Sequence, residues 1–140
     1  MMNQEVRRIM NTNPIVVTPQ KTLKQVANTM RRHTLNQVPV VTEKGKLVGL
    51  ISYEALLQAY ETGVTEDLTA ADIMSTSMLK ITPKDKVGTA AELFADRRFK
   101  SLPVVNLKNE LKGIITAFNV VRAAFNSEYK SSILYPEVFG

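Results

Sequence analysis

The sequence predicts an α+β fold made of two copies of one β-α-β-β-α unit, related by a pseudo-twofold axis. Three observations lead to this prediction. The chain repeats itself at a constant spacing of 64 residues, each repeat shows the same order of apolar patterns, and 140 residues suffice for one domain or two very small ones. Each unit is expected to hold a small three-stranded sheet with two helices packed on it.

The internal repeat is the strongest signal in the chain. Between residues 9–60 and 73–124, fourteen positions are identical in a single register without a gap. The pairs that define the register are Ile9-Met10 with Ile73-Met74, Thr18-Pro19 with Thr82-Pro83, and Pro39-Val40-Val41 with Pro103-Val104-Val105. Chance does not hold one register over so long a stretch, so the two halves are expected to fold alike.

Each repeat opens with a short helical turn followed by a short extended segment. The turns are predicted over residues 5–10 and 70–74, and the extended segments over 15–17 and 79–81. A Thr-Pro pair closes each extended segment. Because proline has no N–H group, neither segment can continue a hydrogen-bonded ladder past this pair.

An amphipathic helix follows in each repeat. Its apolar residues fall at i, i+3, i+4 and i+7, which places them on one face of a helix. They are Leu23, Val26, Ala27 and Met30 in the first repeat and Val87, Ala90, Ala91 and Phe94 in the second. Thr22 stands in the N-cap position of the first of these helices.

Two strands joined by a hairpin come next. Residues 38–41 and 102–105 are rich in β-branched residues, which favour buried strands, and 47–52 and 111–116 are the return strands. The connecting turns contain a glycine in one repeat and an asparagine in the other, and both residue types tolerate positive φ. These turn residues are Gly45 and Asn109.

A second amphipathic helix, over 54–60 and 118–125, closes each repeat. The resulting organisation is a first repeat at 6–60, a linker at 61–69, a second repeat at 70–125 and a tail at 126–140. The tail has no counterpart in the first repeat and is mildly apolar, so we expect it to pack back on the domain or on a second chain. Its apolar residues include Ile133, Leu134, Val138 and Phe139.

The helices also predict a homodimer. A unit of about 55 residues is marginal alone, so the two repeats are expected to cover each other. The apolar residues on the helices exceed what one interface inside the chain would use. These residues are Leu23, Val26, Leu56, Leu57, Val87, Val120 and Val121.

Composition excludes several classes of protein. Hydrophobic residues make up 44% of the chain and charged residues 22%, which is ordinary for a globular domain. Cysteine is absent and His33 is the single histidine, which excludes disulfides and cysteine nucleophiles and predicts no metal site. No carboxylate pair or Ser–His arrangement stands at a fixed spacing, so we predict that the protein is not an enzyme.

The charge and the hydropathy of the chain limit the kinds of partner that we expect it to bind. The net charge of +5 is spread over both halves, which suits solubility or attraction of small anions. Nucleic-acid binding is disfavoured, since the chain has no Arg-rich block and no aromatic motif for stacking on bases. No apolar run reaches the roughly 18 residues of a membrane span, and residues 1–10 are too polar for a signal peptide. We therefore expect a cytoplasmic protein with no membrane partner.

In their order and spacing, these motifs resemble CBS domains (cystathionine β-synthase type), and the two repeats together resemble a Bateman module. The matching features are the Ile-Met openings, the Val-Thr-Pro turn, the Val-Pro-Val-Val and Leu-Pro-Val-Val strands, and the Gly-Leu-Ile-Ser and Gly-Ile-Ile-Thr strands. The resemblance covers nearly the whole chain. It implies a stand-alone regulatory module that binds AMP, ADP, ATP or S-adenosylmethionine between its repeats, needs no other cofactor, and acts on a protein partner that the sequence does not identify.

The resemblance also implies two pseudo-equivalent clefts, in which a Ser or Thr hydroxyl faces the phosphate or ribose. The favoured site would comprise Asn13, Ile15, Asn36, Gln37, Ile114, Thr116 and Asn119, with Met10 beside them. The weaker second site would comprise Ser52, Ser77, Leu79, Lys100 and Ser101, with Leu50, Ala55 and Met74 beside them.

The chain departs from the family at the position that often holds a ribose-binding aspartate. That position is Ala55 in one cleft and Asn119 in the other. A hydrogen bond to a charged acceptor contributes roughly 1.5–3 kcal/mol, and alanine offers no acceptor at all. We therefore expect one nucleotide per chain, in the cleft of Thr116 and Asn119. We also expect Asn119→Ala to cost little stability.

Several of these residues have structural alternatives. Ser52 and Thr116 stand where N-caps stand, and His33 stands where a helix ends. Gly49 and Gly113 are most simply explained by close packing of a strand against a neighbouring helix. The densest basic cluster is either a solvated helix end or a set of phosphate contacts, and it comprises Arg97, Arg98 and Lys100.

Two functions from different classes therefore stay open. One is a ligand-sensing regulatory module. The other is a purely structural protein–protein interaction module whose cleft holds no nucleotide, and Ala55 favours it.

Overall fold

The computed structural model describes residues 1–63, 65–97 and 99–129. Its helices are α1 (Leu23–Arg32), α2 (Tyr53–Glu61), α3 (Ala70–Ile73), α4 (Val87–Arg97) and α5 (Ala117–Tyr129), and a 3-10 turn spans Val6–Arg8. Its strands are β1 (Gln37–Val41), β2 (Leu47–Ser52), β3 (Ser101–Val105) and β4 (Leu111–Thr116). The mixed α/β class is confirmed, and so is the order helix, strand, strand, helix after the opening turn of each repeat.

The two hairpins are copies of each other. β1 pairs antiparallel with β2, and β3 pairs antiparallel with β4, in registers that differ by 64 residues throughout. Each hairpin contains one bulge at the same place, between Val40 and Val41 in the first. The turn residues Gly45 and Asn109 have φ of +85° and +62°, so the prediction of positive φ at both is confirmed.

The third strand predicted for each sheet is absent from the described residues, where each sheet has two strands. Val17 forms a single parallel bridge on β1. Its N–H donates to the Pro39 carbonyl at 3.0 Å, and its carbonyl accepts from the Val41 N–H at 2.8 Å. The next rungs would need N–H groups from Pro19 and Pro39, which proline lacks. The same geometry recurs around Ile81, so the ladder stops at one rung in both repeats.

The first helix begins and ends where the sequence predicts. Thr22 Oγ1 accepts the Gln25 N–H at 3.2 Å, and Gln25 Oε1 accepts the Thr22 N–H at 2.9 Å, which completes a capping box. His33 stands at the C-cap, as its structural alternative proposed.

The opening turn of each repeat packs on the other repeat. Val6 is fully buried in the core of the second repeat, and its N–H donates to the Asp85 carbonyl at 2.7 Å. Ala70 is fully buried in the core of the first repeat, and its N–H donates to the Lys21 carbonyl at 2.8 Å. Neither repeat therefore has a complete core without the other.

The junction between the repeats obeys the pseudo-twofold relation. Leu50 and Ser75 exchange two backbone hydrogen bonds, of 3.0 and 2.8 Å. Asn11 and Ile114 exchange two, of 2.8 and 2.9 Å, and they are the residues 64 positions away. β2 and β4 are therefore each paired at one residue with the segment that follows the opening turn of the other repeat.

The two strand glycines lie in close contact with the residues that end these turns. A Cβ on Gly49 would lie 2.5 Å from Met74 Sδ, and one on Gly113 would lie 2.7 Å from the Asn11 carbonyl oxygen. The close-packing interpretation is confirmed. The predicted neighbour is a helix, whereas the atoms that lie closest belong to the end of the other repeat's opening turn and the residue after it.

Most of the helical residues from which the sequence predicts a homodimer are buried inside the chain. They are five of the seven: Leu23, Val26, Leu56, Val87 and Val120. Leu57 and Val121, which occupy equivalent positions on α2 and α5, are 47% and 62% exposed. The first four residues of the predicted tail belong to α5, and 130–140 lie outside the described residues.

Candidate functional site

A cavity of about 720 Å³ lies between the repeats beside the N-terminus of α2, and we call it the Ser52 cavity. Its apolar lining comprises Leu50, Ala55, Ile73, Met74, Met78, Leu79, Phe99, Leu102 and Pro103. Its polar lining comprises Gln37, Ser52, Ser75, Ser77, Arg97 and Ser101. It is therefore a pocket with a broad apolar surface, several hydroxyl groups and one guanidinium.

A second cavity, of about 290 Å³, lies beside the N-terminus of α5, and we call it the Thr116 cavity. It is lined by Asn11, Pro14, Ile15, Thr34, Leu35, Asn36, Gln37, Pro39, Leu50, Lys100, Ser101, Ile114 and Thr116. It is narrower and contains one ammonium group. Both cavities have a size suited to a small molecule, the second at the low end of the usual range of about 300–1,000 Å³.

Side-chain size contributes to the difference between the cavities. At two pairs of equivalent positions that line the two cavities, the smaller residue stands on the side of the Ser52 cavity. These pairs are Ser52 with Thr116 and Ser75 with Asn11. Ala55 adds another small side chain to the lining of the Ser52 cavity, whereas its equivalent Asn119 does not line the Thr116 cavity.

Both hydroxyl groups at the strand ends cap a helix. Ser52 Oγ accepts the Ala55 N–H at 3.1 Å, and Thr116 Oγ1 accepts the Asn119 N–H at 3.0 Å. The capping alternative is confirmed for both residues. A hydroxyl that accepts one hydrogen bond keeps its own proton to donate, so each can still face a ligand.

Asn119 has a structural role that the sequence analysis missed. Its Oδ1 accepts the Thr116 N–H at 2.8 Å, so the two residues cap α5 reciprocally. Asn119 is not among the residues that line the Thr116 cavity. The expectation that Asn119→Ala costs little stability is therefore wrong, because the substitution removes part of a cap.

The two cavities share one wall. Gln37, Leu50 and Ser101 line both of them. Ser101 Oγ donates to Gln37 Oε1 at 2.9 Å, and these two residues are 64 positions apart. The hydrogen bond therefore joins the starts of β1 and β3 across the pseudo-twofold axis.

Most residues of the predicted second site come together in the Ser52 cavity: Leu50, Ser52, Ala55, Met74, Ser77, Leu79 and Ser101. Lys100 instead lines the Thr116 cavity, which its long flexible side chain reaches from the start of β3. Of the favoured site, the Thr116 cavity contains Ile15, Asn36, Gln37, Ile114 and Thr116. Asn13, Asn119 and Met10 are not in its lining.

The loop after the first opening turn explains the position of Asn13. Its backbone N–H donates to Asn11 Oδ1 at 3.0 Å, which turns the loop so that Asn11 lines the cavity. Arg97, Phe99 and Ser75 were missing from both predicted sites. Arg97 could have been found from the basic cluster, whose Arg98 lies outside the described residues, whereas no sequence signal points to Ser75 or to its equivalent Asn11.

Two carboxyl groups with a displaced pKa do not line either cavity. The pKa of Glu110 is lowered, chiefly because Asn106 Nδ2 donates to its carboxylate at 2.7 Å. The pKa of Glu5 is lowered, chiefly by its hydrogen bond with Arg7. Within the described part of the chain, no three metal-ligating side chains cluster, and no helix is long and apolar enough to cross a membrane.

Known proteins resemble both halves of this fold. The CBS domain family model matches residues 6–62 and 70–126. The CBS domain-containing protein YhcV of Bacillus subtilis is 27% identical over 130 residues, which cover 92% of this chain and 91% of YhcV. The crystal structure of CBSX2, a CBS-pair protein of Arabidopsis thaliana, in complex with AMP has a TM-score of 0.79 at 27% identity and covers 89% of this chain and 98% of CBSX2.

A second solved structure shows the same fold at lower identity. It is the CBS domain pair of protein MJ0100 in complex with 5′-methylthioadenosine and S-adenosyl-L-methionine, with a TM-score of 0.73, 24% identity, and coverage of 86% of this chain and 99% of that one. The family model spans both hairpins, their flanking helices and both caps. The chain therefore belongs to the CBS domain family and contains two CBS domains.

Proposed function

We propose that this chain is a regulatory module that senses an adenine nucleotide, or a related anionic adenosine derivative, in the Ser52 cavity. The observation that carries the proposal is the make-up of that cavity. It combines about 720 Å³ of space with an apolar surface for a base, serine hydroxyls and one cation. The similarity to CBSX2, which was crystallised with AMP, supports the same ligand class.

The Ser52 cavity is a better primary site than the Thr116 cavity for two reasons. It has more than twice the volume. The Asn119 side chain, on which the preference for the Thr116 cavity depended, already binds the Thr116 N–H. The Thr116 cavity remains a candidate second site, with Thr116, Ile15 and Gln37 as its contacts.

The direct test is calorimetry and thermal shift with AMP, ADP, ATP and S-adenosylmethionine. A ligand at 100 times its dissociation constant stabilises the folded state by about 2.7 kcal/mol, which a melting curve resolves. Ala55→Trp should fill the Ser52 cavity and abolish binding. Gln58→Trp is the matched control, because Gln58 is exposed on the same helix and lines neither cavity. Absence of binding below millimolar concentration would refute the proposal.

A homodimer would give the module a surface through which to pass on a change in shape. α2 exposes Tyr53, Leu57 and Tyr60, and α5 exposes Phe118 and Val121. We propose that these two faces pack against a second copy. Sedimentation should then give a particle of twice 15.6 kDa, and Leu57→Lys should dissociate it while Gln58→Lys does not. A wild-type monomer at micromolar concentration would contradict this.

The alternative is a structural interaction module that binds no nucleotide. Ala55 favours it, since the Ser52 cavity contains no side-chain carboxylate among its described lining residues to accept from ribose hydroxyls. Under this alternative the exposed α2 and α5 faces would still form an interface. The ligand screen would show no stabilisation, and Ala55→Trp would behave like wild type in every association measurement.

A further inference from the structure

Arg97 is the only charged residue among the described residues that line the Ser52 cavity. The lining contains no Asp or Glu among the residues that the structure describes, and Arg97 is its one cation. A guanidinium stays protonated at any physiological pH and presents a planar fork of donors that fits a phosphate. The electrostatic character of the cavity is therefore set by one residue at the end of α4.

No acidic side chain neutralises this guanidinium within the described residues. Among the described residues, the ion pair that the structure shows joins Arg7 and Glu5. Arg97 forms no ion pair with any residue that the structure describes. Arg97 is exposed and is the last residue of α4, where a cation also favours the negative end of the helix dipole. If Arg97 only stabilised the end of the helix, its replacement would leave ligand affinity unchanged. If Arg97 binds the ligand, its replacement lowers that affinity.

Two of the four serines of the Ser52 cavity already donate their hydroxyl protons inside the protein, whereas Ser52 and Ser77 keep neutral hydroxyl donors for a ligand. Ser75 Oγ donates to the Ser77 carbonyl at 3.1 Å, and Ser101 Oγ donates to Gln37 Oε1 at 2.9 Å. Both hydroxyl protons are therefore already engaged inside the protein. The Arg97 donors stay available for an anion that enters the cavity.

The equivalent position in the other repeat does not repeat this arrangement. His33 stands 64 residues before Arg97 at the C-cap of α1, and it does not line the Thr116 cavity. Lys100 supplies the cation there. An ammonium is a point charge without the bidentate geometry of guanidinium, so the two cavities differ in how well they hold a phosphate.

We propose that Arg97 is a specificity-determining residue through which the Ser52 cavity selects a nucleoside 5′-phosphate over the neutral nucleoside. This rests on the proposed function, since it assumes that a nucleotide enters that cavity. Adenosine and 5′-methylthioadenosine have the same base and sugar but no anionic group. AMP should therefore bind about tenfold more tightly than either, because a charge-assisted hydrogen bond is worth that much.

The test is calorimetry of AMP and adenosine with the full chain and four variants. Arg97→Gln should bring the AMP-to-adenosine affinity ratio close to one, and Arg97→Lys should retain part of it. Arg32→Gln removes the same charge from the exposed end of α1, outside both cavities, and should leave the ratio unchanged. Lys100→Gln removes the cation of the Thr116 cavity instead, and a fall of the ratio in this variant would place the phosphate there. A melting curve for each variant checks that it is folded.

The outcomes separate this proposal from the proposed function. If AMP binds and Arg97→Gln leaves the ratio unchanged, or Lys100→Gln lowers it instead, Arg97 does not select the ligand while nucleotide sensing stands. If neither ligand binds the wild type, both proposals fail. Should Arg97→Gln not fold, the salt dependence of the wild type decides. The ratio should fall between about 50 and about 500 mM salt, and a constant ratio would overturn the role of Arg97.

Discussion

The two cavities occupy equivalent places in a chain that repeats itself, yet they differ in size, charge and capping. The Ser52 cavity has about 720 Å³, a guanidinium and an alanine at the third position of its helix. The Thr116 cavity has about 290 Å³, an ammonium and an asparagine that completes the cap of α5. Duplication of a fold therefore does not duplicate its site, because a few side chains decide which space is open.

Ala55 illustrates how one substitution has two opposite consequences. In the sequence it removes an acceptor, which makes the first cleft the weaker one. In the structure its small side chain also forms part of the lining of the larger cavity, whereas the Asn119 side chain accepts the Thr116 N–H and does not line the Thr116 cavity. The loss of a hydrogen-bond acceptor at residue 55 is visible in the sequence, whereas the volume of the Ser52 cavity is visible only in the structure.

The largest difference between the two repeats should appear in the free energy of unfolding, when the strand glycine of each repeat is replaced. Gly113→Ala would place a Cβ 2.7 Å from the Asn11 carbonyl oxygen, and backbone paired to Ile114 cannot retreat cheaply. We expect a loss of about 2–3 kcal/mol in the free energy of unfolding. Gly49→Ala would meet Met74 Sδ, Cγ and Cβ at 2.5, 2.7 and 2.9 Å. Sδ and Cγ can move into the Ser52 cavity, but Cβ is fixed to the backbone, so a smaller loss of about 1–2 kcal/mol is expected.

Urea unfolding of both glycine variants measures this difference directly, provided that the m-value stays that of wild type. Equal losses would mean that the backbone of residue 11 yields as easily as the side chain of Met74. The packing difference between the two junctions would then be unimportant.

Ala55→Asp should sharpen the comparison in ligand binding. A carboxylate at this position can accept from the ribose hydroxyls of a ligand in the Ser52 cavity, so AMP affinity should rise about tenfold. Ala55→Asn is the control without charge and should give a smaller gain. Calorimetry gives affinity and stoichiometry together. An unchanged AMP affinity in Ala55→Asp, or two equal sites in the wild type, would count against the assignment.

The capping difference should be transferable between the repeats. Asn119→Ala removes the acceptor of the Thr116 N–H and should cost about 1 kcal/mol of stability. Ala55→Asn offers the same acceptor to Ser52 and should stabilise by about 0.5 kcal/mol. Thermal unfolding without ligand measures both. If Asn119→Ala melts like wild type, its side chain is not contributing to the cap.

The smallest effect should come from the wall that both cavities share. Ser101→Ala removes the hydrogen bond to Gln37 Oε1 and should cost about 0.5–1 kcal/mol. Ser75→Ala is a comparison within the same cavity, since its hydroxyl donates to the Ser77 carbonyl without joining the repeats. A double variant with Gln37→Ala should lose less than the sum of the single variants. Strict additivity would show that the hydrogen bond contributes nothing.

Sequence alone determined the repeat, its register, the helices and hairpins, and the residues with positive φ in the turns. These features depend on local patterns, such as the spacing of apolar residues in α1 and the turn chemistry of Gly45 and Asn109. Seven of the fifteen residues that line the Ser52 cavity belong to the second site that the family resemblance implies.

The tertiary structure decided what no local pattern contains. Two prolines at separate points of the chain stop the third strand, because the ladder needs donors from both Pro19 and Pro39. Val6 lies in the core of the second repeat, although it precedes the first along the chain. Arg97 lines the Ser52 cavity and Lys100 the Thr116 cavity, although the two residues are only three positions apart. These outcomes depend on contacts between distant residues, which a sequence pattern does not encode.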